Sequence, residues 1–220
     1  MYLPEKLVHL PEEIQTKLRS AMHIQTYESG EPVFHQGTAA IAIYAVIRGR
    51  VKVARVTPDG HESILCVRQA GEYFCPVPVL DGKSQLGTAI AMTDVTILWV
   101  ERQTFHALCC ECPQLLSIIQ GDCLAEVRHL LNRLETFAFR TIRERLAISL
   151  LDEIRHQRDE ENGPTEVRMI QQELAGLVGA SRESVSRILK QLEHDEIVEL
   201  HRGKVRILDL KKLRKIAAIE

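Results

Sequence analysis

The sequence lacks long apolar runs and a strong excess of charge of one sign. No stretch approaches the ~18 consecutive apolar residues of a membrane-spanning helix, so we expect no membrane partner. The N-terminus lacks the charged head and apolar stretch of a secretory signal peptide, which predicts a cytoplasmic protein. In that compartment we expect the six cysteines to be mostly reduced rather than paired in disulfides.

The charge balance limits the classes of partner. A net charge of -2 over 220 residues excludes a uniformly basic nucleic-acid binder but leaves room for a local basic surface. Residues 1–139 carry 12 basic and 15 acidic side chains, whereas residues 168–220 carry 11 basic and 8 acidic ones. The two ends of the chain therefore suit different partners.

Residues 24–101 have the pattern of short β-strands. They are rich in Val, Ile, Thr and Tyr, and turn signals separate the runs, among them Gly49, Asp59-Gly60 and Asp81-Gly82. Six or more strands at this spacing predict a barrel, a sandwich or a jelly roll.

Residues 113–139 change to a helical period. Their apolar positions follow at steps of three and four, close to a heptad seam. The seam comprises Leu116, Ile119, Cys123, Val127, Leu130, Leu134 and Phe137. Two interpretations remain open, a dimer interface and a helix packed on its own β domain. A second helix is predicted over 141–156, and an exposed loop over 157–165.

The segment 171–193 predicts a helix-turn-helix. Leu174, Leu177 and Val178 form the apolar face of a short helix, and Gly179 suits the left-handed residue that ends it. Ser181 is placed as the N-cap of the next helix. Two short helices joined by such a turn form a helix-turn-helix.

The outward face of the second helix carries the residues suited to DNA recognition. The candidates are Ser181, Arg182, Glu183, Ser186, Arg187 and Lys190. Arginine can donate two hydrogen bonds to guanine, and glutamate can accept one from cytosine N4. The alternative is a solvated face with an ion pair between Glu183 and Arg187. Residues 197–208 then predict a β-hairpin wing, whose Arg202, Lys204 and Arg206 suit phosphate contacts.

With these motifs the chain resembles the CRP/FNR family of bacterial transcription regulators. The resemblance implies an α+β fold with an antiparallel β-roll of jelly-roll type over 1–112, a dimerisation helix over 113–139 and a winged helix-turn-helix over 140–220. It further implies a homodimer that reads a palindromic TGTGA-like or TTGAT-like site in double-stranded DNA, with RNA polymerase as a partner. Ile170 departs from the family's Ser or Thr cap, so Gln171 or the backbone should cap the first helix.

The sensor region departs from the family's cyclic-AMP pocket. By resemblance the pocket would comprise Cys75, Pro76, Leu86, Thr88, Leu130 and Leu131. Leu86 and Gly87 stand where the family has its phosphate-binding Arg-Ser pair, and no arginine lies between Arg68 and Arg102. Burying a phosphate without a cation is costly, so we expect no cyclic-AMP binding of the family type. An effector or redox signal would then control the protein.

The cofactor remains open. An iron–sulfur cluster of the FNR type is not expected, since it needs cysteines near the N-terminus. Cys109 and Cys112 are candidate ligands for zinc or an iron–sulfur cluster, members of a redox-active pair, or ordinary small residues at a helix. The loop ending at Cys75 resembles that of the family's carbon-monoxide sensors, where cysteine ligates haem. A haem-dependent gas sensor and a cyclic-nucleotide-binding regulatory module therefore stand as alternatives.

An enzyme is not expected. The sequence contains no Walker loop, no Ser/His/Asp arrangement and no paired catalytic carboxylates in a motif we can identify.

Overall fold

The computed structural model describes residues 3–57, 62–156 and 166–218, which belong to two compact units, 1–129 and 130–220. The predicted turn at 59–60 and the predicted loop at 157–165 lie outside the described residues. In the described parts of the chain, no helix is both long and apolar enough to cross a bilayer.

The first unit is built around two antiparallel sheets of four strands. Its strands are β1 (His23–Tyr27), β2 (Pro32–Phe34), β3 (Ala42–Arg48), β4 (Arg50–Val56), β5 (Glu62–Gln69), β6 (Tyr73–Phe74), β7 (Thr88–Ala91) and β8 (Val95–Glu101). One sheet has the order β1-β8-β3-β6 and the other β2-β7-β4-β5. The predicted β-rich N-terminal region and the α+β class are confirmed.

Alternation along the strands creates the core of the roll. Val51 and Val53 of β4 are buried, and a cluster of Phe34, Tyr44 and Phe74 joins them. The Tyr44 and Phe74 rings stack with centroids 5.4 Å apart. These large apolar side chains supply most of the burial that holds the strands together.

Helices cover the roll. They are a 3-10 turn (Glu5–Leu7), α1 (Glu12–Ala21), α2 (Pro76–Asp81), α3 (Arg102–Glu111) and the start of α4 (Pro113–Phe139). Leu18, Phe105 and Leu115 are buried in one cluster beneath them. The bounds of α4 match the predicted helix.

The apolar seam of α4 divides into two parts. Ile119 is 1% exposed in the core of the first unit, and Leu116 and Cys123 pack against the same cluster. The prediction that Ile119 lies at a dimer interface is therefore wrong, because its own β domain already covers it. Farther along, Val127, Leu130 and Leu134 are 51%, 43% and 64% exposed, and Phe137 is 36% exposed.

The second unit has helices around a small sheet. After the end of α4 come α5 (Ile142–His156), β9 (Glu166–Val167), α6 (Gln171–Val178), α7 (Arg182–His194), β10 (Val198–His201), β11 (Lys204–Ile207) and α8 (Leu210–Ile216). The strands are antiparallel in the order β10-β11-β9. Leu146, Leu150, Leu174, Leu189 and Leu192 are completely buried, so the apolar faces of α5, α6 and α7 form the core.

Candidate nucleic-acid interface

The turn between α6 and α7 is built as its sequence predicts. Gly179 has φ 59°, and a Cβ atom at this position would lie 3.0 Å from Cε1 of Phe137. Ser181 is the N-cap of α7, where its Oγ accepts a hydrogen bond from the Ser184 N–H at 3.2 Å. The cap satisfies one of the free N–H groups at the start of the helix.

The start of α6 is capped by Glu173. The Ile170 N–H donates to Oε2 of Glu173 at 2.9 Å. This is the carboxylate half of a capping box, which works without a hydroxyl at the N-cap. The predicted cap was Gln171 or the backbone, whereas the side chain that fills this role belongs to Glu173, three residues after Ile170.

One face of α7 is buried and the opposite face is exposed. Val185, Leu189 and Leu192 are fully buried, whereas Arg182, Glu183, Arg187 and Lys190 are exposed and Ser186 is partly exposed. The exposed face borders a groove of the second unit. The groove is lined by Arg143, Glu183, Ser186, Arg187, Lys190, Gln191, His194 and Asp195. Four of the predicted DNA-reading residues therefore lie on one surface.

Arg143 is a groove residue that sequence reasoning missed. It lies on α5 and forms an ion pair with Asp195 at 2.9 Å. Its position 40 residues before Glu183 left no local pattern by which to find it.

The electrostatics at the start of α7 favour an ionised Glu183. Hydrogen bonds from its own backbone N–H and from Ser181 lower the pKa of its carboxyl group. Within the described second unit, the structure shows no ion pair between Glu183 and Arg187. The carboxylate can thus accept a hydrogen bond from a base, and Arg182 and Arg187 can donate.

The wing forms the predicted hairpin. Gly203 has φ 76° at the turn, and Arg202 beside it is exposed. The Lys204 ammonium donates to both carboxylate oxygens of Glu166, at 2.9 and 3.0 Å. Arg206 also donates to Glu166 and Glu199, so of the three predicted phosphate-binding residues only Arg202 presents its charge without an internal partner among the described residues.

The predicted effector residues are not all in one unit. Cys75, Pro76 and Thr88 are partly buried in the first unit, while Leu86 is 55% exposed. Thr88 Oγ1 already accepts a hydrogen bond from the Gln36 N–H at 3.0 Å. Leu130 and Leu131 belong to the second unit, where both are exposed.

Cys75 sits in an unusual position. It precedes α2 in the left-handed conformation, with φ 58°, which non-glycine residues rarely adopt. Burial raises the pKa of its thiol far above the usual range, and the nearby Cys66 raises it further. In the absence of a bound metal ion, this side chain is therefore a neutral thiol at neutral pH.

A cation does occur near this loop, but it is already paired. Arg68 of β5 donates from Nη2 to Oε2 of Glu126 on α4, at 2.7 Å. Tyr73 also donates a hydrogen bond to Asp122 of the same helix, and Asp122 pairs with Lys6 at 2.7 Å. These contacts anchor the first part of α4 on the roll.

Cys109 lies on α3, and Cys112 directly follows the end of that helix. Cys109 and Cys112 are each 5% exposed in the core of the first unit. Burial raises the pKa of the Cys109 thiol to about 11. Across residues 3–57, 62–156 and 166–218, no three His, Cys, Asp or Glu side chains converge in a group able to hold a metal ion. The packing agrees with the interpretation of these cysteines as small core residues.

Comparison with known proteins assigns both parts of the chain. Residues 24–111 match the cyclic nucleotide-binding domain, and residues 144–216 match the Crp-like helix-turn-helix domain. The chain is 31% identical over 207 residues to the cyclic AMP receptor protein of Thermus thermophilus, covering 94% of this chain and 93% of that relative. It is 27% identical over 193 residues to a CRP-like cAMP-activated global transcriptional regulator of Mycobacterium tuberculosis, covering 87% and 86%.

Solved structures show the same fold. FixK2 of Bradyrhizobium japonicum superposes with a TM-score of 0.80 at 21% identity, over 90% of this chain and 98% of the other. The c-di-GMP-responsive global regulator CLP of Xanthomonas campestris superposes with a TM-score of 0.79 at 21% identity, over 90% and 100%.

Proposed function

Since the chain belongs to the CRP/FNR family of transcription regulators, we propose that it binds a palindromic DNA site as a homodimer. The observation that carries this proposal is the capped helix α7, with one face fully buried and Arg182, Glu183 and Arg187 exposed on the other. A helix held in this way can enter the major groove by its N-terminal end.

The proposed half-site is the one that membership of the family implies, and the chemistry of that end of α7 agrees with it. Arg182 and Arg187 suit guanine, and the ionised Glu183 suits cytosine N4, as in a TGTGA-like or TTGAT-like half-site. Ser181, Ser186 and Lys190 lie beside them on α7. Their short and cationic side chains suit phosphates and base edges.

The exposed part of α4 supports a dimer. Val127, Leu130 and Leu134 continue the seam after Ile119, and none of them is buried in its own unit. Exposed apolar side chains in such a row indicate an interface. A two-fold dimer then requires a two-fold DNA site, with half-sites about one helical turn apart.

The proposed signal is an effector or redox change other than cyclic AMP. The names of several relatives state activation by cyclic AMP. In this chain, however, Leu86 and Gly87 replace the phosphate-binding pair of the family, and the nearby Arg68 is neutralised by Glu126. A bound cyclic phosphate would lack a free cation. RNA polymerase is the partner through which such a regulator would act.

Fluorescence anisotropy with labelled duplexes tests the DNA-binding part. The wild type should bind a palindrome of TGTGA or TTGAT half-sites more tightly than a duplex with scrambled half-sites. Arg182→Ala should cost about 1–3 kcal/mol on the palindrome and little on the scrambled duplex. Arg202→Ala is the matched control, because loss of a phosphate contact should weaken both duplexes alike. Equal losses on both duplexes for Arg182→Ala would contradict base reading.

Calorimetry and absorbance test the signal. We expect no saturable binding of cyclic AMP at micromolar concentration, and such binding would overturn this part of the proposal. An anaerobic spectrum of the purified protein separates the remaining alternatives. A sharp Soret band would indicate haem. A broad band at about 400 nm would indicate an iron–sulfur cluster.

A further inference from the structure

The outward face of the wing sheet carries a row of alternating charges. Arg206 of the central strand β11 is directly opposite Glu199 of β10 on one side and Glu166 of β9 on the other. The flanking residues Val205 and Ile207 point into the core and are buried. Residues paired in this way across adjacent strands lie close enough for their side chains to interact.

All three charges of this row are engaged. Arg206 donates from Nη2 to Oε1 of Glu166 at 3.1 Å, and from Nη1 to Oε2 of Glu199 at 3.1 Å. Lys204 adds its two hydrogen bonds to Glu166, whose side chain is only 12% exposed. Hydrogen bonds from Lys204 and Arg206 lower the pKa of Glu166, so it remains ionised at neutral pH.

The cations of the wing thus differ in availability. Lys204 and Arg206 are each bound to a carboxylate of the same sheet, whereas Arg202 stands exposed at the turn. A cation that already holds a carboxylate contributes little to attraction of a phosphate, because the pair is nearly neutral at the distance of the DNA.

We propose that Glu166 acts as a charge clamp that holds Lys204 away from DNA phosphates and thereby limits non-specific DNA binding by the wing. The inference rests on the proposed role of the wing in DNA binding. Affinity from phosphate contacts is independent of sequence, so a wing in which Lys204 were free in addition to Arg202 would bind every duplex more tightly and lower the advantage of the cognate site. Glu166 would therefore set specificity without touching a base.

Glu166→Gln tests the clamp, because it removes the charge and keeps the shape of the side chain. Glu199 still holds Arg206 in this variant, so one cation, Lys204, is released in each subunit. The slope of log affinity against log salt should steepen by about 0.9 for each released cation, or about 1.8 for a dimer. The affinity of Glu166→Gln relative to the wild type should therefore be about 12-fold lower at 200 mM salt than at 50 mM salt. This decrease should be the same on palindromic and scrambled duplexes.

Two controls isolate the effect. Glu12→Gln changes the net charge by the same amount at an exposed position on α1 and should leave the slope unchanged. Adding Lys204→Gln to Glu166→Gln should cancel the gain. Weaker binding or an unchanged slope for Glu166→Gln would overturn the clamp, since Glu166 would then orient Lys204 toward DNA or lie too far from it.

A second comparison does not depend on the folding of Glu166→Gln. In the otherwise native protein, Lys204→Gln should change affinity less than Arg202→Gln does, because only Arg202 is free. An equal or larger loss for Lys204→Gln would overturn the clamp. If the wild type binds neither palindrome nor scrambled duplex, the proposed function fails together with the clamp. If the wild type binds but the variants do not differ as stated, only the clamp fails.

Discussion

A single helix, α4, allows a direct comparison between a core position and a position of the proposed dimer interface. Ile119 is 1% exposed within the first unit, whereas Leu134 is 64% exposed. Ile119→Ala should lower the free energy of unfolding by about 2–5 kcal/mol, since it removes buried methyl groups and leaves a cavity. Leu134→Ala should leave the fold of the single chain nearly unchanged.

The effect of Leu134→Ala should be on dimerisation. Full burial of a leucine contributes about 1.5–3 kcal/mol, so burial of the exposed two thirds would contribute about 1–2 kcal/mol in each subunit. The dimer would lose about 2–4 kcal/mol, which corresponds to a rise of about 30- to 700-fold in its dissociation constant.

Sedimentation velocity across a dilution series measures the dissociation constant, and thermal unfolding at two protein concentrations measures stability. For Ile119→Ala, the fall in melting temperature should be the same at both concentrations. For Leu134→Ala, the fall should be larger in dilute protein. If Ile119→Ala instead weakened dimerisation and left the melting temperature unchanged at high concentration, the division of the seam into core and interface would be refuted.

Substitutions at four positions test local features of the fold. Gly179→Ala should destabilise the protein, because φ is 59° and the new Cβ would lie 3.0 Å from the Phe137 ring. Gly121→Ala should stabilise α4 by about 1 kcal/mol, because no atom lies within 4 Å of the new Cβ. Opposite shifts in melting temperature are expected, and shifts of one sign would contradict this account. Ser181→Ala should lower the free energy of unfolding by about 1 kcal/mol through loss of the cap, and it should weaken binding to every duplex. Ser181→Asn keeps a hydrogen-bond acceptor and should restore both stability and binding. A failure to restore them would rule out the capping role. Because hydrogen bonds from Lys204 hold the pKa of Glu166 below its usual value, its stabilising effect is complete above about pH 4.3 and is lost as pH falls through the lowered pKa. Between about pH 5 and about pH 3, the melting temperature of Glu166→Gln should therefore fall less steeply than that of the wild type. Parallel curves would show that the ion pairs of Glu166 contribute nothing to stability.

The helix-turn-helix was predictable because its signals are local. Gly179 ends one helix, Ser181 caps the next, and the apolar period from Val185 to Leu192 defines the buried face of α7. Each of these features depends on residues within one or two turns of the same helix. The capping of α6 is equally local. Ile170 at the N-cap has no side-chain acceptor, so the only local signal is Glu173 three residues later.

The bounds of α4 also follow from the sequence alone, but the surface that covers each part of its seam does not. A hydrophobic period identifies the positions that favour burial, and the hydrophobic effect does not depend on direction or on the identity of the covering group. Ile119 and Leu134 therefore look alike in sequence. Only the packing of α1 and α3 around the first turns of α4 separates them.

Charge pairs over long sequence distances depended wholly on the tertiary structure. In the sequence, Lys204 is one of several basic residues at a hairpin, and Glu166 lies 38 residues earlier. Strand pairing in the order β10-β11-β9 places them side by side, and it likewise places Glu166 and Glu199 on either side of Arg206. The sequence by itself thus determined which helix carries the exposed polar face that we propose for DNA binding, because helix periods and caps are short-range. The tertiary structure decided which cations of the wing remain free, because ion pairing follows distance in space and not distance along the chain.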